Sequence, residues 1–238
     1  MSQTVSEVSP AASDTPQVTD RRTRRTRLAL RDALAEEIAA TGDLSRVTVT
    51  AVTGRAGVTR RTFYSHYKDI PDLVNCIETD TAAELRPLVA QLSSVHLDQL
   101  AEAINHQEPC PGSQEILSYF KERGSYLRPL LGEGGDPAFS QRIRTMVHEV
   151  VASRALDGID LRALGAFFDY YLTFAISAEV GVLLRWLEGG MRESVRTMAR
   201  IMTALMFVRP GDLYDSPIEL DLPSFALAVM LPDEEDNN

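Results

Sequence analysis

An all-α fold is what this sequence predicts: a small basic helix-turn-helix unit near the N-terminus, followed by a larger helical body. Three observations predict it. Apolar residues recur three and four positions apart along most of the 238 residues, and no segment shows the alternation of a half-buried strand. The stretch "VTVTAVTGRAGVTRRTFYSHYKD" sets a glycine between two short helical patterns, each preceded by a capping threonine. Charge is also divided along the chain. Residues 20–70 hold 11 Lys and Arg against 6 Asp and Glu, a balance of +5, whereas residues 71–238 hold 13 against 26, a balance of -13. A basic unit on an acidic body, within a net charge of -10, points to a polyanion met at one end only.

Composition limits the other classes. Hydrophobic residues make up 44% of the chain, enough to bury a substantial core. No run of 18 uninterrupted apolar residues occurs, so a membrane span is not expected, and residues 1–20 lack the apolar centre of a signal peptide. Two cysteines, Cys76 and Cys110, form no framework and suit a reducing cytoplasm. His96, His106, Cys110 and His148 stand at long, irregular spacings that match no compact zinc pattern, so no metal site is expected. No phosphate-binding glycine loop, dinucleotide fingerprint or nucleophile elbow is present, so neither a cofactor nor an enzyme is expected.

Taken in order, residues 1–20 are rich in Ser, Thr and Pro and read as a disordered extension. "RRTRRTR" follows as a basic arm. Leu30, Leu34 and Ile38 then recur at i, i+4 with Ala33 and Ala39 beside them, an amphipathic helix closed by Gly42. Thr48 caps a second helix carrying Val49, Val52 and Ala56, and Gly57 permits a positive φ at the turn. Thr59 caps a third helix in which Phe63 and Tyr67 face inward while Arg61, Tyr64 and Ser65 face outward, flanked by Arg60 and Thr62. "DIPDLV" opens a further helix with Pro71 in its first turn. Beyond it, helices are expected over about 72–93, 95–106, 113–131, 136–156, 160–188 and 194–208. The resulting units are 1–20, the basic unit 21–70, the body 71–210, and a C-terminal extension 211–238 whose end is acidic.

The residues "VTVTAVTGRAGVTRRTFYSHYKDIPDLV", above all "TFYSHYKD", resemble the three-helix DNA-binding pattern of the TetR family of bacterial transcriptional regulators. "YYLTFAISAEVGVLLRWLEGGMRESVRTMARIM" is similar to the C-terminal domain of one subgroup of that family. Two positions depart from the pattern: Ile70 stands where lysine is common, and Gly54 lies inside the second helix. The resemblance implies a DNA-binding domain at 21–70 and an effector-binding and dimerisation domain at 71–210. It implies a homodimer on a pseudo-palindromic double-stranded DNA operator, a ligand-responsive repressor in the cytoplasm, and a small-molecule effector of unspecified identity. It places Arg60, Arg61 and Tyr64 at positions that read base edges.

The physics of the residues agrees. The first turn of a helix in the major groove lies nearest the bases, and arginine donates two parallel bonds to guanine. Thr48, Thr59, Thr62, His66, Tyr67 and Lys68 are candidates for phosphate contact. Thr48 and Thr59 can equally serve only as caps, and Tyr67 can be half core. Arg24, Arg25 and Arg27 of the arm suit a narrowed minor groove, against the alternative of a solvated run. Two rival readings differ in class: a helix-turn-helix regulator controlled by a protein partner, favoured by a body without an enclosed cavity, and a helical enzyme, favoured by buried polar groups lining a cleft.

Overall fold

The computed structural model describes residues 16–155 and 165–206, and among these the only regular structure is helical. Ten α-helices follow one another: α1 (Pro16–Thr41), α2 (Val49–Ala56), α3 (Arg60–Tyr64), α4 (Ile70–Leu92), α5 (Leu97–Asn105), α6 (Ser113–Glu122), α7 (Gly124–Leu131), α8 (Pro137–Ala155), α9 (Gly165–Glu188) and α10 (Val195–Leu205). A short 3-10 turn, Leu44–Arg46, joins α1 to α2. The expectations for 1–15, 156–164 and 207–238 lie outside the described residues.

The first three helices and the start of α4 make the head. Leu30, Leu34 and Ile38 of α1, Val52 of α2, Phe63 of α3, and Leu73 and Val74 of α4 are all buried together. Ile70 belongs to the same core at 8% exposure, which is why an apolar residue suits the place where lysine is common. Gly54 is exposed, with nothing within 4 Å of where its Cβ would stand, and its φ is not left-handed. Gly54→Ala is therefore expected to stabilise the head by about 0.5–1 kcal/mol, read as a higher midpoint in urea.

The body grows from the head along two continuous elements. α4 runs out of the head to pack on α8 and α6, and α1 packs its far side on α7. There the Arg31 guanidinium stacks over the Tyr126 ring at 3.9 Å. The 132–136 connection closes the joint: the Leu44 N–H donates to the Gly134 carbonyl at 2.8 Å. A Cβ on Gly134 would overlap the Gly42 carbonyl oxygen, so only glycine lets the two backbones come this close.

Two expectations are corrected, and a third point concerns α9. Helix α1 begins at Pro16, so "RRTRRTR" lies on a helix rather than ahead of one, and residues 16–20 are helical rather than disordered. Arginine is a good helix former, and the arm continues an established helix without paying for a new nucleus. The single helix over 113–131 is two, α6 and α7, broken at Arg123. Gly124 follows the break, and the Met191 side chain fills the space a Cβ would take. Finally, α9 is long and apolar enough, over Phe167–Glu188, to cross a membrane by length and composition alone. It packs instead on α7 and α8, and it carries Asp169, Glu179 and Arg185. Its apolar residues lie on two sides: Leu172, Ile176, Val180, Leu183 and Leu187 are buried, while Tyr170 and Phe174 are 71% and 73% exposed.

Candidate nucleic-acid interface

The head is built around the α2–α3 turn. Thr48, in extended conformation, accepts from the Ala51 N–H at 3.2 Å and starts α2. Gly57 ends it at φ 64°, a left-handed conformation that glycine adopts without strain. Thr59 then starts α3 by accepting from the Thr62 N–H at 3.1 Å, and the two threonine hydroxyls lie 2.9 Å apart. Both caps are thus occupied by the backbone of their own helices.

Phe63 anchors the short α3. It is fully buried, with the Tyr67 ring 5.8 Å away and the Tyr64 ring edge-on at 5.5 Å. With the inner side fixed, the outer side is set. Arg60, Arg61 and Lys68 are exposed, and Tyr64 is 58% exposed, unusual for a large aromatic residue. Arg60 reaches back to α2, where its guanidinium donates to the Thr50 hydroxyl at 2.5 Å. The Arg61 side chain makes no hydrogen bond or ion pair to another described residue. His66 is half-buried beside Tyr67.

The structure separates the other basic residues into two groups. Arg24 and Arg25 lie exposed on the first part of α1, with Arg21 and Arg22. Arg27 is engaged internally. Its Nε donates to the Tyr67 hydroxyl at 3.2 Å and its Nη2 reaches Asp80 on α4 at 3.1 Å. Tyr67 is 5% exposed; burial pushes its hydroxyl pKa up against the pull of the Arg27 guanidinium, so it stays neutral. Arg55 is likewise held by Glu37 at 2.6 Å and Glu36 at 3.1 Å, bracing α2 on α1.

Sequence reasoning missed Thr50 and Asp80, which hold Arg60 and Arg27. Their partners lie 10 and 53 residues away in the chain, so no local pattern marks them. Among the described residues no group of three or more His, Cys, Asp and Glu could hold a metal ion. Among the described residues, surface grooves open on the body at two places. One, of about 340 Å³, lies between the end of α5 and α10 and includes Gln107, Arg200 and Ile201. The other, of about 550 Å³, runs along α6 past Leu88, Tyr119 and Arg123. Both are open to solvent.

Residues 107–207 match a family model, TetR_C_8, described as a transcriptional regulator C-terminal region. The match covers α6 to α10 and leaves the helix-turn-helix outside it. A crystal structure of a TetR transcriptional regulator from Streptococcus agalactiae 2603V is similar to this chain at 24% identity and a TM-score of 0.48, over 79% of this chain and 97% of that one. No curated protein matches the chain.

Proposed function

We propose, from the match of residues 107–207 to a transcriptional regulator C-terminal region, that the chain is a TetR-family regulator: a cytoplasmic, non-enzymatic repressor that binds a pseudo-palindromic DNA operator as a homodimer. The observation that carries this reading is the outer side of α3. Arg60, Arg61 and Tyr64 project from a helix fixed by the Thr59 cap and by buried Phe63, so the reading groups are ordered before DNA arrives. Arg60 and Arg61 take the base edges of a major groove, and Tyr64 lies against them. Thr48, Thr59, Thr62, His66 and Lys68 line the phosphates on either side, while Tyr67 and Arg27 support the interface from within.

The test is selection of random-sequence duplexes by the purified protein. A pseudo-palindromic consensus is expected, and retention with no enriched sequence would refute the reading. On the selected site, Arg60→Ala or Arg61→Ala should each cost about 1–3 kcal/mol and relax base choice at the contacted position. Lys68→Ala should weaken all duplexes alike, as loss of a phosphate contact does.

The homodimer rests on a second feature. Tyr170, Tyr171 and Phe174 on α9, and Ile201, Leu205 and Met206 on and just after α10, are exposed apolar residues. Such patches on the last helices are met by a second copy across a two-fold axis, in a four-helix interface. Light scattering at micromolar concentration should give twice the chain mass, and Phe174→Glu should give the chain mass.

Control by a ligand works through its preference for one of two head arrangements. A small molecule in the body is the family's usual effector. Control by a protein partner is the second reading, and the open form of both body grooves favours it.

A further inference from the structure

The two arginines at the start of α3 are held differently. Arg60 turns back across the helix-turn-helix, and its Nη2 donates to the Thr50 hydroxyl on α2 at 2.5 Å. The Arg61 side chain has no such partner among the described residues. Short local bonds build the frame on either side of the Arg60 contact. In α2, the Thr48 hydroxyl accepts from the Ala51 N–H at 3.2 Å, and the Thr53 hydroxyl donates to the Val49 carbonyl at 2.8 Å. Across the turn, the Val58 N–H donates to the Thr53 carbonyl at 3.0 Å, and in α3 the Phe63 N–H donates to the Thr59 carbonyl at 3.1 Å. Val52 and Phe63 are both fully buried, so α2 and α3 do not slide past each other without opening a close-packed core. The separation of Thr50 from the Arg60 backbone is therefore set by the fold, and only the Arg60 rotamer is left to choose.

Thr50 is not needed to build α2. The helix is capped by Thr48, and its inner side is Val49, Val52, Thr53 and Ala56. Thr50 and Arg60 are both exposed, so their bond holds no core together. What it fixes is a direction. The tether takes a single guanidinium N–H, and the donors that remain still satisfy the two acceptors of guanine. We propose that Thr50 is a positioning residue for base reading: its hydroxyl presets the Arg60 guanidinium, so that one arginine of the pair meets the groove already oriented. This role rests on the reading of α3 as the DNA-facing helix.

Two consequences separate Arg60 from Arg61. An arginine carries large rotamer freedom, and ordering it at the moment of binding lowers affinity. Arg61 loses that freedom only on DNA, whereas Arg60 has already lost much of it to Thr50. The second consequence is for base choice. A free guanidinium swings to a neighbouring base or phosphate when its own base is changed. A tethered one is left with unpaired donors, which penalises the wrong sequence. Arg60 is thus the stricter reader and Arg61 the more tolerant one. A Thr50 hydroxyl that merely touched a phosphate would behave otherwise, adding the same affinity on every sequence.

The test is a double-substitution cycle in the full-length protein, on the duplex it selects and on duplexes changed at single base pairs. Arg60→Ala marks the base pair that Arg60 reads. Thr50→Val keeps the branched shape and removes the hydroxyl. It should lower affinity for the selected duplex about 2- to 10-fold for each head engaged, and weaken base preference at the marked pair alone. In the Arg60→Ala background, Thr50→Val should change nothing further. Thr50→Ser, which keeps the hydroxyl, should match the unaltered protein. In the protein without DNA, 15N relaxation should show the Arg60 Nε–H restricted and the Arg61 Nε–H mobile, with Thr50→Val releasing Arg60. Unchanged binding in Thr50→Val, equal losses on every duplex, a loss that persists without Arg60, or equal mobility of the two arginines would each overturn the positioning role. If Arg60→Ala relaxes no base pair although relaxation shows the tether, the failure lies in the reading of α3, and the role falls with it.

Discussion

Replacing Arg21, Arg22, Arg24 and Arg25 together by glutamine is expected to lower affinity for duplex DNA on the order of 10³-fold at 0.1 M salt and to flatten its salt dependence. The argument begins from charge. With a net charge of -10 the chain as a whole repels DNA, so attraction must come from a local patch. These four arginines lie on the first turns of α1, described as a helix from Pro16. A helix about 10 Å across does not enter a minor groove about 6 Å wide, so an arm in this form lies across the phosphates instead of threading the groove. One line of such a helix, for example Arg21 and Arg25 at i, i+4, touches a strand at a time, which allows about two contacts per protomer. Four contacts in a dimer, each contributing about 0.9 to the slope of log affinity against log salt, change that slope by about 3.6. Arg27 is left in place because it holds Tyr67 and Asp80. The measurement is affinity against salt for both proteins on one duplex, and identical slopes would show that the arm takes no part in binding.

The course of that arm also shows where the sequence was readable and where it was not. The α2–α3 turn was legible because each of its determinants is local. Thr48 and Thr59 cap the helices they immediately precede, and Gly57 occupies the left-handed position that glycine tolerates best. The outward placement of Arg61 and Tyr64 followed from Phe63 facing inward. The start of α1 was hidden because a basic run is compatible with both coil and helix. The break at Arg123 depends on Met191 packing against Gly124 from far along the chain. Tyr67 illustrates the same limit at the site. The sequence left it between core and phosphate contact, and only the approach of Arg27 from α1 places its hydroxyl in an internal bond. Glu78, buried on α4, was passed over, since an acid inside an apolar helical pattern has no local signature of burial.

Phe63→Ala is expected to cost about 3–5 kcal/mol of head stability and to abolish operator binding, whereas Phe63→Leu should cost less than about 1.5 kcal/mol. Phe63 is the only residue of α3 that is fully buried, and its ring belongs to the core that also holds Leu30, Leu34, Val52 and Leu73. A five-residue helix has almost no stability of its own, so α3 exists because this ring is packed. Truncation to alanine removes the buried area and leaves a cavity that a close-packed core relaxes only partly to fill. It also removes the surface against which the Tyr64 ring stands edge-on, and with it the placement of Arg60 and Arg61. The body core, mostly in α6 to α10, joins the head core along α1 and α4, whereas α3 packs chiefly on α2. Urea unfolding followed by head and body probes should therefore separate into two transitions in Phe63→Ala, with the head melting first, while the dimer mass is kept. Leucine restores most of the volume, so Phe63→Leu should melt close to the unaltered protein. A loss below about 1 kcal/mol for the alanine variant, or DNA affinity unchanged in it, would mean that the reading groups are ordered by something other than the packing of this one ring.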